Sequence, residues 1–72
     1  MATKYWRLKV KGDPSADEIH RGVGKSGGLV LRVHREKGET HVYYAGEDAQ
    51  EGHGLAGAGR PESVKLDDVS KI

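Results

Sequence analysis

The chain contains no cysteine, no phenylalanine and no asparagine, and only two of its 72 residues are proline. Without thiols there can be neither a disulfide framework nor a thiolate zinc site, and the redox compartment is left unspecified. One tryptophan and three tyrosines are scarce aromatic material, so a core has to rest on a few aliphatics, Trp6 and a tyrosine. No stretch approaches the roughly 20 apolar residues of a membrane span. Nor does Met1 to Lys11 carry a sustained apolar run after its basic residues, so no signal peptide is expected and an intracellular location is the default expectation. Neither sign of charge dominates. With 12 basic against 11 acidic side chains and a formal net charge of +1, no global field points to nucleic acid or a membrane surface, and any such argument must be local.

What is present is short and rich in glycine. A single domain, 1–72, is expected, and a chain of that length buries only about 60% of the surface it exposes when unfolded. The most self-determining stretch is GLVLRVHREKGETHVYY, Gly28 to Tyr44. Leu29, Leu31 and Val33 alternate with Val30, Arg32 and His34, a charged turn follows, and Val42 and Tyr44 alternate with His41 and Tyr43, which is the pattern of a β-hairpin. A loop of odd length would mix the two faces. An even loop sets Val33 opposite Val42 and Leu31 opposite Tyr44, with Arg32 opposite Tyr43 and His34 opposite His41 on the other side. A tight Lys37-Gly38 turn would place Glu36 against Glu39, an unfavourable like-charge pair. A four-residue loop from Glu36 to Glu39 is therefore expected.

Before the hairpin, KYWRLKVK at Lys4 to Lys11 reads as a first strand, with Trp6, Leu8 and Val10 on one face and Tyr5, Arg7, Lys9 and Lys11 on the other. Helix-start signals then overlap: Asp13 with Pro14, or Ser15 with Glu18 three residues on. Ala16, Ile19, His20 and Val23 make one stripe, and Gly22 and Gly24 should limit the helix to two or three turns. The segment between the strands is long enough for a crossover, so a right-handed βαβ unit with parallel strands is expected. Residues 45–62 lack periodicity and read as a mobile Gly-rich loop. Ser63 to Leu66 could add a strand with Val64 and Leu66 inward. The closing VKLDDVSKI is expected to be a partly buried irregular tail, and its abrupt end admits a fragment of a longer chain. The expected architecture is α+β: β-α-β-β with a possible further strand, one short helix on one face of a three- to four-stranded mixed sheet. The expected core is Trp6, Leu8, Val10, Ile19, Val23, Leu29, Leu31, Val33, Val42, Tyr44, Val64 and Leu66.

Chemistry-bearing motifs are weak. GVGKSGG at Gly22 to Gly28 superficially matches the end of a phosphate-binding loop, but the helix precedes it instead of following, so the helix dipole is reversed for phosphate. His34 and His41 should be cross-strand neighbours with Cβ atoms about 5 Å apart, yet a zinc site needs a third fixed ligand. Glu47, Asp48, Glu51 and His53 lie in a Gly-rich stretch without EF-hand spacing. No serine has a histidine at a diagnostic spacing, so no metal, no cofactor and no catalysis are expected.

One surface remains. Tyr5, Arg7, Lys9, Arg32, His34, His41 and Tyr43, with Lys11 and Val30, should share the sheet face turned away from the helix. Cations and tyrosines suit protein partners, because arginine and tyrosine are enriched at interface hot spots, and they also suit single-stranded nucleic acid through phosphate neutralisation and base stacking. The expected function is a small non-enzymatic binding or assembly module that contacts another protein chain, or a second copy of itself, through this face or a sheet edge. Nucleic-acid binding is the alternative.

Overall fold

A computed structural model describes residues 3–25, 27–47 and 54–71. The order of elements is β1 (Lys4–Lys11), α1 (Ala16–Lys25), β2 (Leu29–Glu36), β3 (Glu39–Gly46), β4 (Glu62–Val64) and α2 (Leu66–Ser70). The strands form one sheet in the order β2-β3-β1-β4, and every pairing in it is antiparallel. The molecule is thus α+β, with four strands and two short helices. The sheet is antiparallel and not mixed: β3 inserts between β1 and β2, which run the same way without touching, so the expected parallel pair never forms.

Alternation in β1 places Leu8 and Val10 in full burial on one face, with half-buried Trp6 beside them. The Trp6 indole N–H donates to the Gly46 carbonyl at 3.1 Å, which gives its polar atom a partner. Helix α1 starts where Ser15 caps it, its hydroxyl accepting from the Glu18 N–H at 3.2 Å. Only Ile19, Gly22 and Val23 are buried along it. Ala16 and His20 are exposed, so the apolar stripe is narrower than its spacing suggests. The helix also runs through Gly22 and Gly24. It stops at Gly27, whose φ of +80° lets its N–H reach the Gly24 carbonyl while Gly28 N–H reaches that of Val23, the 5→2 and 6→1 bonds of a Schellman ending.

The hairpin keeps part of its expected register. Val33 pairs with Val42, His34 with His41 and Arg32 with Tyr43. Two features differ. Glu36 pairs with Glu39, so the loop is the tight Lys37-Gly38 turn, with Gly38 at φ +78°. The like charges tolerate this because each carboxylate lies against a histidine two residues away on its own strand, Glu36 by His34 and Glu39 by His41. The second difference is a bulge between Val30 and Arg32. One extra residue reverses the facing of everything before it, so Val30, not Leu31, lies opposite Tyr44 and packs on the core. Leu29 and Leu31 are 65% and 38% exposed, which removes both from the core.

The 45–62 stretch does more than connect. Its first two residues finish β3. Within 54–59, Leu55 enters the core, Ala58 bridges Val10, Lys11 N–H donates to the Gly57 carbonyl and Gly59 N–H to that of Lys9, while residues 48–53 lie outside the described residues. The core cluster is Leu8, Val10, Ile19, Val23, Val42, Tyr44 and Leu55. Thr40 is buried beside it, donating to the Gly12 carbonyl at 2.9 Å. The strand expected over Ser63 to Leu66 begins and ends earlier, and Leu66 is 51% exposed. In place of an irregular tail, α2 follows, with Lys65 N–H donating to the Asp68 carboxylate at 3.1 Å and Val69 buried.

Candidate functional site

Antiparallel pairing lines up residues from three strands into rows across the face opposite the core. Arg7, Tyr43 and Arg32 make one row, Lys9, His41 and His34 the next, and Lys11, Glu39 and Glu36 the third. Tyr5, Ala45 and Leu29 form the row at the other end. All seven expected binding residues, Tyr5, Arg7, Lys9, Arg32, His34, His41 and Tyr43, therefore occupy one face. Val30 does not join them, because the bulge turns it to the core.

The electrostatics of this face differ from the basic patch implied by β1 alone. Strand β4 brings Glu62 opposite Arg7. The Arg7 guanidinium donates to one Glu62 carboxylate oxygen through both Nε, at 3.2 Å, and Nη2. Lys9 Nζ lies 4.0 Å from the other oxygen. The Arg7 hydrogen bonds, and then its charge and that of Lys9, hold the Glu62 carboxyl below its ordinary value. Conversely, Glu62 and then the Tyr43 side chain raise the already high pKa of Arg7. Sequence reasoning missed Glu62 because only the docking of β4 on β1 carries it there. Its signal was a lone acid after Pro61.

Tyr43 sits at the middle of its row and is only 4% exposed, so its ring presents no open surface for stacking. Further along, the imidazoles of His34 and His41 are tilted by 55° with centroids 6.1 Å apart. His34 Nε2 is 3.2 Å from a Glu36 carboxylate oxygen, and His41 Nε2 meets Glu39 in the same way. Despite this mixture of donors, no three His, Asp or Glu side chains among the described residues converge in a way that could hold a metal ion. Of the second acidic cluster, Asp48, Glu51 and His53 lie outside the described residues. Gly22 to Lys25 occupies the carbonyl end of α1, the wrong pole for phosphate.

Shallow grooves occur among the described residues. One, of about 270 Å³, lies between α1 and the Gly54–Ala56 segment and is lined by Glu18, Arg21, Lys25 and Leu55. Another, of about 180 Å³, lies between Lys9, Lys11 and Glu39. Neither gathers a nucleophile beside a base. Among the described residues no helix is long and apolar enough to cross a membrane.

The remaining feature is the edge formed by β2. Eight residues long and preceded by Gly28, it has a neighbour, β3, on one side and no strand among the described residues on the other. The opposite edge is blunted, because β4 is three residues long and preceded by Pro61, which has no N–H to offer. Compared with protein-family models, with curated proteins and with solved structures, the chain matches none, and its function has to be argued from this geometry.

Proposed function

We propose that this chain is a small non-enzymatic binding or assembly module that makes protein–protein contacts, and that the outer edge of β2 is where it makes them. The observation that carries the reading is an eight-residue edge strand bearing two solvent-exposed leucines, Leu29 and Leu31. An unpaired strand edge offers a row of N–H and C=O groups to an incoming strand, and side chains such as these leucines add apolar contact. The open face contributes less. Glu62, Glu36 and Glu39 offset its cations, and the buried Tyr43 ring leaves nucleic-acid bases nothing to stack on at the centre of the patch.

Which backbone groups face the edge follows from alternation. Lys9 C=O and Lys11 N–H bond toward the Gly57–Gly59 segment, so their partners His41 and Glu39 turn their own backbone groups toward β2. His34 and Glu36 therefore pair inward, and Val33 and Arg35 point outward. A lysine-flanked peptide of alternating threonine and valine pairs through its main chain alone, so NMR titration with it should shift the Val33 and Arg35 amides more than those of β1. Arg35→Pro, which deletes an outward N–H, should abolish that response while the fold persists. An oligothymidylate titrated in parallel should leave the spectrum unchanged. Oligonucleotide binding tighter than micromolar at physiological salt, centred on Arg7, Lys9 and Arg32, would install the nucleic-acid reading in its place.

A further inference from the structure

Resting on that reading of the edge, we infer that the partner strand is β2 of a second copy of this chain, paired antiparallel about a two-fold axis through His34. In a two-fold pairing of one strand with itself, residue numbers of facing partners add to a constant, so each possible register sets particular charges together. Centring on His34 places Arg32 opposite Glu36 of the other copy, and Glu36 opposite its Arg32. The strand is self-complementary in this register.

Backbone geometry selects it as well. Arg32, His34 and Glu36 lie on the open face and bond inward to β3, whereas Val33 and Arg35 lie on the core face and present their backbone groups outward. About His34, Val33 meets Arg35 of the other copy and both are outward-bonding residues, so they form a hydrogen-bonded pair. His34–His34 and Arg32–Glu36 are then the alternating non-bonded pairs, in which side chains approach most closely. The faces also agree, so two four-stranded sheets join into one with both open faces on the same side.

Competing registers fail on charge or on facing. Centring on Arg32 or on Arg35 sets two arginines against each other. Centring on Val33 faces Val30 with Glu36. Any pairing centred between residues opposes an inward-bonding residue to an outward-bonding one. In the His34 register the exposed Leu31, the extra residue of the bulge, falls opposite Lys37 of the other copy, whose aliphatic stem can cover it. Glu36 already lies 3.2 Å from His34 through one oxygen, and its second oxygen remains an acceptor for the incoming arginine.

Sedimentation equilibrium from micromolar to millimolar tests this on the wild type, Arg32→Glu, Glu36→Arg, an equimolar mixture of the two, and the double variant R32E/E36R. Circular dichroism checks that each is folded. Each single reversal sets two like-charge pairs across the axis and should weaken dimerisation by about tenfold or more. The mixture should associate again, because one chain then offers two glutamates to the two arginines of the other. The double variant should dimerise like the wild type. A wild type monomeric at millimolar concentration would overturn self-pairing, and so would a dimer indifferent to the reversals or a mixture that stays monomeric. None of these results touches the edge reading, which stands or falls on the response of Val33 and Arg35 to the threonine-valine peptide.

Discussion

Strands β2 and β3 are each eight residues long, adjacent in sequence and joined by a two-residue turn, yet they experience different environments. In β3, Thr40, Val42, Tyr43 and Tyr44 are all buried; in β2 no residue is, and only Val30 and Val33 are half-buried. Apolar content does not explain the contrast, since β2 carries two leucines and two valines. Position does. β3 lies between β1 and β2, where both of its edges are paired, whereas β2 has a strand on one side only among the described residues and carries a bulge. Burial in a sheet this small follows strand order more closely than hydrophobicity.

The sharpest check is to place the same charge at two facing positions. Val42→Asp puts a carboxylate into the closed core and should cost about 4 kcal/mol or more, enough to unfold a domain of this size. Val33→Asp, directly across the ladder but half-buried, should cost roughly half as much. Urea denaturation of both variants reads the difference, and equal losses would mean that β2 is as enclosed as β3.

A smaller effect is expected at the start of β2, where neighbouring residues should respond in opposite ways. A Cβ on Gly28 would lie 2.8 Å from Val23 Cγ1 and 3.2 Å from Tyr44 Cδ2, so Gly28→Ala should cost about 1–3 kcal/mol by overpacking the helix against the sheet. Leu29→Ala removes a side chain that is already in water and should change the thermal stability by no more than about 0.5 kcal/mol. A large loss from Leu29→Ala would show that the bulge is absent and that the uninterrupted alternation holds.

The smallest effect concerns β4. Because the folded Glu62 carboxyl titrates below its ordinary value through Arg7, its stabilisation is present above the unfolded pKa and is lost as pH falls through the folded one. Glu62→Gln should therefore flatten the acid limb of the stability profile. At neutral pH its effect should be slight, since exposed ion pairs contribute little.

Local signals were legible wherever neighbours in sequence supply the interaction. The β1 alternation, the Ser15 cap with Glu18, and the Val33–Val42, His34–His41 and Arg32–Tyr43 pairs all belong to this class, as does the sharing of one face by the seven expected site residues. Local reasoning misjudged the turn, because a like-charge penalty was weighed without the histidines that accompany each glutamate. The expected helix length of two or three turns holds, since α1 covers ten residues, and the buried Gly22 is tolerated inside it where a missing side chain permits close packing. Leu55 and Glu62 were invisible because neither sits in a periodic stretch, and each acquires its role from a strand more than forty residues away.

The amino-acid order alone determines that strands form at Lys4–Lys11 and on either side of Lys37-Gly38, and that a helix starts at Ser15, because caps, turns and period-two alternation act over a few residues. Only the assembled sheet decides that β3 separates β1 from β2, that the bulge sends Leu29 and Leu31 to solvent, and that Glu62 offsets the basic face. Those outcomes depend on which surfaces meet across the sheet, and packing between distant segments leaves no trace in local spacing.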